Sequence, residues 1–147
     1  MAAFENGIYN ITRGSNQSLT TLGSQANCYA IFGDPGFDGG VEKWELTTND
    51  DGTVSLRDVK CRLFLSLDDA ENIQFHQSVQ LGEKEYHWRL SETSNDGKVY
   101  IQAVGRSEDG DDYVIDLGMA RIYPPRLALM RKDQGNEYQG WSFVRAE

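Results

Sequence analysis

Three short stretches, Asn6-Gly-Ile-Tyr-Asn-Ile11, Asp51-Gly-Thr-Val-Ser-Leu56 and Asp96-Gly-Lys-Val-Tyr-Ile101, align with one another at an interval of 45 residues. In each stretch an Asn-Gly or Asp-Gly pair precedes a run with apolar residues at every second position. Such pairs favour tight turns because both residues tolerate positive φ, and the alternation predicts a strand with one buried face. The fixed interval predicts three copies of one structural unit.

A tryptophan marks the end of each unit. Trp44-Glu-Leu46, Trp88-Arg-Leu90 and Trp141-Ser-Phe143 each read as apolar, polar, apolar, which is the pattern of a half-buried strand. The third of these runs lies near the C-terminus, where the first strand of the chain is its natural partner. That pairing would close the three units into a ring with a core made of the alternating apolar positions.

Two further strands are predicted between these landmarks in each unit. The second strands are expected at 18–22, 63–67 and 113–117, and the third at 28–32, 72–75 and 127–130. Twelve short strands without a helical pattern predict an all-β protein, and three repeats that close on themselves favour a barrel. The chain resembles the β-trefoil superfamily over its length, as a single domain of residues 1–147 with repeats at about 5–47, 48–92 and 93–147.

Composition limits the possible partners. The chain has 147 residues, is 39% hydrophobic and carries a net charge of −9. An acidic surface repels phosphate backbones and anionic lipid head groups, so neither nucleic acid nor a membrane is expected as a partner. No leader-like or membrane-spanning segment is recognised in the sequence, and a cytoplasmic monomer is expected.

The two cysteines, Cys28 and Cys61, have no metal-binding spacing. Two buried free thiols in a reducing compartment are favoured, and a single disulfide is the alternative. His76 and His87 lie beside aromatic residues and are interpreted as structural. The acidic run 108–112 lacks the ligand spacing of a calcium loop and is interpreted as a solvated loop. No nucleophile or phosphate-binding motif is present, so we expect no enzyme, no metal and no cofactor.

Function is therefore expected in loops held by a rigid scaffold. Four connections differ from their counterparts in the other repeats: 23–27, 33–40, 118–126 and 131–138. The second of them is rich in glycine and contains Phe37. The third contains a proline pair that stiffens an extended backbone.

The opening stretch Glu5-Asn-Gly-Ile-Tyr-Asn-Ile11, the tryptophan strands and the closing Gly140-Trp-Ser-Phe-Val-Arg145 resemble the mushroom β-trefoil protease inhibitors of the cospin, cnispin and mycocypin type. This resemblance implies a fungal defence protein that blocks a serine or cysteine protease with a surface loop. The reactive-loop candidates are Arg131, Lys132, Gln25, Ala26 and Asn27. The loop at 23–27 departs from the trypsin-inhibitor pattern because it has no basic residue, and Arg131 with Lys132 has the alternative interpretation of a solvated pair.

The second resemblance is to ricin-B-like fungal lectins, which carry Gln-x-Trp in each repeat. Here Gln139-Gly-Trp141 fits, whereas the counterparts are Glu42-Lys-Trp44 and Tyr86-His-Trp88. This resemblance implies glycan binding by the third repeat, because sugar sites combine an aromatic platform with a carboxylate or amide. The candidate residues are Asp116, Asn136, Tyr138 and Gln139. A cytoskeletal or signalling interaction module is a third alternative.

Overall fold

A computed structural model describes residues 4–13, 17–22, 25–30, 43–95, 97–105, 107–119 and 126–146. These residues form twelve strands and one short 3₁₀ turn, η1, at Glu137–Gln139. The strands are β1 Gly7–Arg13, β2 Gln17–Leu22, β3 Gln25–Ala30, β4 Trp44–Thr48, β5 Val54–Asp58, β6 Phe64–Leu67, β7 Val79–Gly82, β8 Trp88–Glu92, β9 Lys98–Ala103, β10 Tyr113–Leu117, β11 Leu127–Arg131 and β12 Trp141–Arg145.

Six strands close into an antiparallel ring in the order β1, β4, β5, β8, β9, β12 and back to β1. The remaining strands pair as three hairpins, β2–β3, β6–β7 and β10–β11. The ring joins the first strand to the last, as the sequence predicted, with Ile11 opposite Phe143. A six-stranded barrel with three hairpins is a β-trefoil, and the fold prediction is confirmed.

The three tryptophans tie the barrel to the hairpins in the same way. The indole nitrogens of Trp44, Trp88 and Trp141 donate to the carbonyl oxygens of Leu19, Leu65 and Ile115 at 3.1, 2.9 and 3.1 Å. All three indoles are completely buried. A buried N–H needs a partner, and each repeat supplies the carbonyl from the middle of its second strand.

The core consists of the alternating apolar positions that the sequence indicated. Each of the three aligned stretches contributes two buried side chains to it, namely Tyr9 and Ile11, Val54 and Leu56, and Val99 and Ile101. Leu46 and Leu90 are also buried, whereas Phe143 is only partly buried against Phe4 and Tyr9. One face of each barrel strand therefore fills the interior.

The aligned glycines have two different roles. Gly52 and Gly97 adopt φ values of 86° and 80°, as expected for turns that favour glycine. Gly7 lies within β1, and a Cβ there would stand 2.6 Å from the guanidinium carbon of Arg145. At this glycine it is the Arg145 guanidinium that approaches the backbone closely, and a side chain there would displace that guanidinium.

The predicted third strand of the second repeat was wrong. The strand is β7, Val79–Gly82, and not 72–75. Residues 68–77 instead fold around Gln77, whose amide nitrogen donates to Asp68 Oδ1 at 2.8 Å and whose amide oxygen accepts from the Gln74 backbone at 3.0 Å. Residues 72–75, whose polar and apolar side chains alternate, therefore lie in a polar turn, and Ile73 is buried beneath it. In the first repeat β3 begins at Gln25, before the predicted 28, and residues 31 and 32 lie outside the described range.

Candidate functional site

Gln25, Ala26 and Asn27 lie in a strand and not in the loop that the sequence predicted. Leu22 of β2 is already paired with Gln25, and the pairing continues to Ala26 and Asn27. Their backbones therefore belong to the β2–β3 ladder, because β3 begins at Gln25. Their assignment as a protease contact stays a prediction.

Arg131 is held against the surface by several partners. Its guanidinium forms ion pairs with Asp109 at 2.9 Å and Asp111 at 3.1 Å, and lies over the rings of Phe75 and Tyr113. The Tyr113 hydroxyl, which donates to Asp109 Oδ2 at 2.6 Å, is the main cause that lowers the pKa of Asp109 to about 2, and the Arg131 guanidinium acts in the same direction. The acidic run 108–112, interpreted as a solvated loop, is thus partly pinned to β10 and β11.

Lys132 also folds back onto the barrel. Its ammonium group lies 4.8 Å from the ring centroid of Tyr100 and 3.5 Å from Gln102 Oε1. Two open polar depressions, one beside the 110–112 loop and one beside the 92–94 loop, meet at Lys132 and Gln134. A trypsin-like pocket needs a basic side chain that projects from a loop, and in this structure neither Arg131 nor Lys132 projects freely.

The structure brings the four glycan-site candidates together at one end of the third repeat. Asp116 lies in β10, Asn136 precedes η1, and Tyr138 and Gln139 lie within it. The Tyr138 side chain is 65% exposed. Asn136 Oδ1 accepts from the Tyr138 backbone at 2.9 Å and so caps the turn that presents the ring.

Gln139 has a structural role in this cluster. It is 2% exposed, its amide oxygen accepts from the Asp133 backbone at 2.8 Å, and its amide nitrogen donates to the Arg131 carbonyl at 2.9 Å. The same nitrogen lies 3.4 Å from Asp116 Oδ2. Gln139 therefore shapes the β11–β12 connection from inside, and the groups left for a ligand are the exposed Tyr138, the half-buried Asn136 and the largely buried Asp116.

Arg13, which the sequence analysis did not single out, completes the cluster. Its guanidinium forms an ion pair with Asp116 Oδ1 at 2.7 Å and donates to the Tyr138 carbonyl at 3.0 Å. Both charged side chains are largely buried, at 11% exposed for Arg13 and 14% for Asp116. The repeat alignment contained a signal for Arg13. The equivalent positions, two residues after the aligned Ile or Leu, hold Asp58 and Ala103, so the arginine is particular to the first repeat.

The indole hydrogen bonds define which residues of the other repeats correspond to this site. Because Leu19 and Leu65 are equivalent to Ile115, the residues that correspond to Asp116 are Thr20 and Ser66. Thr20 is completely buried. Neither equivalent residue carries a carboxylate.

The exposed aromatic ring is also specific to the third repeat. In the sequence, the residue three positions before each tryptophan is Val41, Glu85 or Tyr138. In the second repeat, the position of Gln139 holds Tyr86, whose hydroxyl donates to the Val104 carbonyl at 2.7 Å, and burial raises the pKa of that hydroxyl to about 12. The carboxylate and the exposed ring therefore occur together in one repeat.

The structure also places both histidines and one of the two cysteines. His76 Nε2 accepts from the Met119 backbone at 2.7 Å, and His87 lies exposed, 3.4 Å from Glu85. Cys61 is a free, exposed thiol, so the prediction that it is buried was wrong: it lies in the turn after β5, where its backbone N–H binds Asp58 Oδ1. The Cys28 side chain lies outside the described part of the structure.

No group of three or more histidine, cysteine, aspartate or glutamate side chains among the residues that the structure describes is arranged to hold a metal ion. Within the same residues, no helix has the length and apolar character needed to cross a membrane.

No protein-family model and no curated protein sequence matches the chain. Solved structures match it closely in fold. A ricin B-like lectin from Macrolepiota procera in complex with lactose superimposes with a TM-score of 0.73 at 14% identity, with 99% of this chain and 100% of that chain covered. The Rhizoctonia solani agglutinin gives 0.72 at 19% identity, covering 99% of each chain. The designed threefold-symmetric protein ThreeFoil gives 0.70 at 19% identity, covering 95% of this chain and 99% of that chain. These likenesses support the β-trefoil fold.

Proposed function

We propose that this protein is a carbohydrate-binding module with one glycan site, formed on the third repeat by Asp116, Asn136 and Tyr138, and that it acts by binding alone, without catalysis. The observation that carries the proposal is that the exposed Tyr138 side chain and the Asp116 carboxylate belong to one cluster, which Arg13 NH1 joins through the Tyr138 backbone carbonyl and Asp116 Oδ1. Both sit on backbone that the barrel holds rigidly, through the Trp141 indole and the buried Gln139 amide.

The chemistry of the cluster suits a sugar. A pyranose presents an apolar C–H face and a rim of hydroxyl groups. The Tyr138 ring offers a platform for the face, and a carboxylate oxygen is a strong acceptor for a hydroxyl. Within the described residues Asp116 Oδ2 has only the long 3.4 Å contact with Gln139, so it is the oxygen that a sugar hydroxyl would reach. The Asn136 amide nitrogen adds a donor, since only the oxygen of that amide is engaged by the turn.

The named ligands of similar structures support the same class of partner. The Macrolepiota procera lectin was solved with lactose, SeviL with the asialo-GM1 saccharide, and the Polyporus squamosus lectin with a sialylated trisaccharide. All three superimpose on at least 97% of this chain. The protease inhibitor stays a prediction of the sequence. The described contacts do not favour it, because Arg131 and Lys132 both lie back against the barrel.

The test is a titration of the purified protein with lactose and with the sialylated trisaccharide, after a glycan array has ranked neutral and acidic sugars. Tyr138→Ala and Asp116→Asn are each expected to weaken binding at least about tenfold, which corresponds to roughly 1.4 kcal/mol. Phe75→Ala removes another exposed ring and Asp112→Asn removes a carboxylate outside the cluster, and both controls are expected to bind like the unmodified protein.

Two results would overturn the proposal. One is an array without signal together with inhibition of trypsin or papain by the same preparation. The other is glycan binding that survives both Tyr138→Ala and Asp116→Asn unchanged, which would place the sugar elsewhere.

A further inference from the structure

Arg13 belongs to the first repeat but makes its strongest contacts in the third. It is the last residue of β1, and β1 joins β12 where the barrel closes. Its NH1 group donates to Asp116 Oδ1 at 2.7 Å and to the Tyr138 carbonyl at 3.0 Å. The guanidinium carbon lies 5.9 Å from the centroid of the Trp141 ring. One nitrogen thus joins the two segments that carry the proposed carboxylate and aromatic platform.

The bond to Asp116 determines which carboxylate oxygen is engaged. Oδ1 accepts both from Arg13 and from the Leu117 backbone, each at 2.7 Å. Both hydrogen bonds on one oxygen orient the carboxylate and leave Oδ2 with the long contact from Gln139. A charge-assisted hydrogen bond that is mostly shielded from water holds such an orientation more firmly than an exposed pair does.

The fold itself does not require an arginine at this position. The equivalent residues at the ends of β5 and β9 are Asp58, which accepts hydrogen bonds from the backbone of its own turn, and Ala103. The barrel strands of the second and third repeats pair in the same way as those of the first without a guanidinium at this position. The ion pair between Arg13 of the first repeat and Asp116 of the third is therefore particular to the junction next to Tyr138.

We propose that Arg13 is a positioning residue for the glycan site: it holds Asp116 and the η1 turn at a fixed separation and so couples ligand binding to the closure of the barrel. The inference rests on the proposed function. Its physical basis is preorganisation, because a ligand that meets groups already held in place does not have to order them on binding. Arginine suits this role because one nitrogen of its planar fork, NH1, donates to both acceptors while the guanidinium lies over the Trp141 ring, whereas the lysine ammonium acts as a point charge on a flexible stem.

The experiment titrates lactose into three variants. Arg13→Ala introduces the residue found at the equivalent position of β9, Ala103, and the variant is expected to fold. It is expected to lower lactose affinity about tenfold or more. Arg13→Lys keeps the charge but not the fork, and is expected to recover only part of that loss. Arg57→Ala is the matched control, since Arg57 also donates to a backbone carbonyl and lies over a ring, Phe64, and has no carboxylate partner among the residues that the structure describes. It is expected to bind within about twofold of the unmodified protein.

A ligand-free measurement separates positioning from general stability. Hydrogen exchange at the Leu117 and Tyr138 amides is expected to rise about tenfold in Arg13→Ala, because both amides donate within the segments that Arg13 joins. The Lys60 amide, which donates to Asp58 Oδ1 at 2.7 Å in the second repeat, is expected to be unchanged. Equal acceleration at all three amides would mean a purely structural role and would overturn the inference.

The remaining outcomes are distinguishable. If the unmodified protein binds lactose and Arg13→Ala binds it equally well, the role of Arg13 is wrong and the glycan site stands. If no sugar binds to the unmodified protein, the proposed function fails, and the positioning role for a ligand fails with it.

Discussion

The Trp141 indole donates a hydrogen bond of 3.1 Å to the carbonyl of Ile115, the residue immediately before Asp116. The most deeply buried ring of the third repeat is therefore linked through one backbone unit to the carboxylate of the candidate site. Trp44 and Trp88 make the same bond to Leu19 and Leu65, but the residues that follow there are uncharged. A structural bond shared by all repeats thus supports a site that only one repeat possesses.

Replacing the Trp141 indole tests its contribution to stability separately from its contribution to ligand binding. Trp141→Phe leaves the Ile115 carbonyl without its donor in a completely buried place, and we expect a loss of about 2 kcal/mol in the free energy of unfolding. Trp44→Phe is expected to cost a similar amount. Urea unfolding measures both losses, and lactose titration is expected to detect weaker binding only in Trp141→Phe. Equal affinity in the two variants would show that the indole does not support the site.

Variants of Gln139 test whether this residue stabilises the fold or contacts the ligand directly. Both atoms of its amide are bonded to the backbones of Asp133 and Arg131, and the residue is buried. Gln139→Ala is expected to destabilise the protein by about 2 kcal/mol, since two backbone groups lose their partner. Gln139→Glu is expected to destabilise it as well, because a carboxylate oxygen would face the Arg131 carbonyl. Thermal unfolding checks both, and a variant with unchanged stability would argue for a direct role at the ligand instead.

The asymmetry of the repeats predicts a binding stoichiometry. One sugar per chain is expected in calorimetric titration, because Thr20 and Ser66 occupy the positions equivalent to Asp116. Ser66→Ala is expected to leave both affinity and stoichiometry unchanged, whereas Asp116→Asn reduces affinity. A stoichiometry of two or three sugars per chain would contradict a site confined to the third repeat.

The Asp109 carboxylate predicts a change of stability in acid. Its pKa in the folded protein is lowered to about 2, chiefly by the Tyr113 hydroxyl, from an ordinary value near 3.8. Because the folded state holds the ionised form more strongly, the stabilisation is fully present above about pH 4. It is lost as the pH falls from there through about 2.

Unfolding measured between pH 5 and 2 checks this expectation. The Asp109→Asn variant should lose less stability over this range than the unmodified protein. Tyr113→Phe should raise the pKa of Asp109 towards its ordinary value, as read from the carboxyl carbon in a nuclear magnetic resonance titration. If Tyr113→Phe leaves the pKa of Asp109 unchanged, the Tyr113 hydroxyl is not the main cause of the lowered pKa.

Much of the fold could be predicted because its signals are local. A turn needs a residue that tolerates positive φ, and Gly52 and Gly97 are such residues. A half-buried strand needs apolar residues at alternate positions, as at Val54 and Leu56. The prediction failed at 72–75, where the same alternation lies in a turn held by the Gln77 side chain. A short alternating run does not reveal that a side chain a few residues away, here Gln77, will bind its backbone in place of a neighbouring strand.

The candidate site, too, could be predicted only in part from the sequence. The Gln-x-Trp triplet and the carboxylate and tyrosine near it were visible in the sequence as neighbours of one repeat. Arg13 was not, because it lies 103 residues before Asp116 and reaches it only when β1 closes the barrel against β12. The inward position of Gln139 and the folded-back side chains of Arg131 and Lys132 likewise depend on partners from several strands.

The sequence by itself determined the threefold repeat, the turns at Gly52 and Gly97 and the burial of the three tryptophans, because periodicity and backbone preference act over a few neighbouring residues. The tertiary structure alone decided that Arg13 meets Asp116 and that Tyr138 stays exposed beside them. Contacts between side chains far apart in sequence exist only after the barrel has closed, and the strand pairing that closes it determines which of them can form.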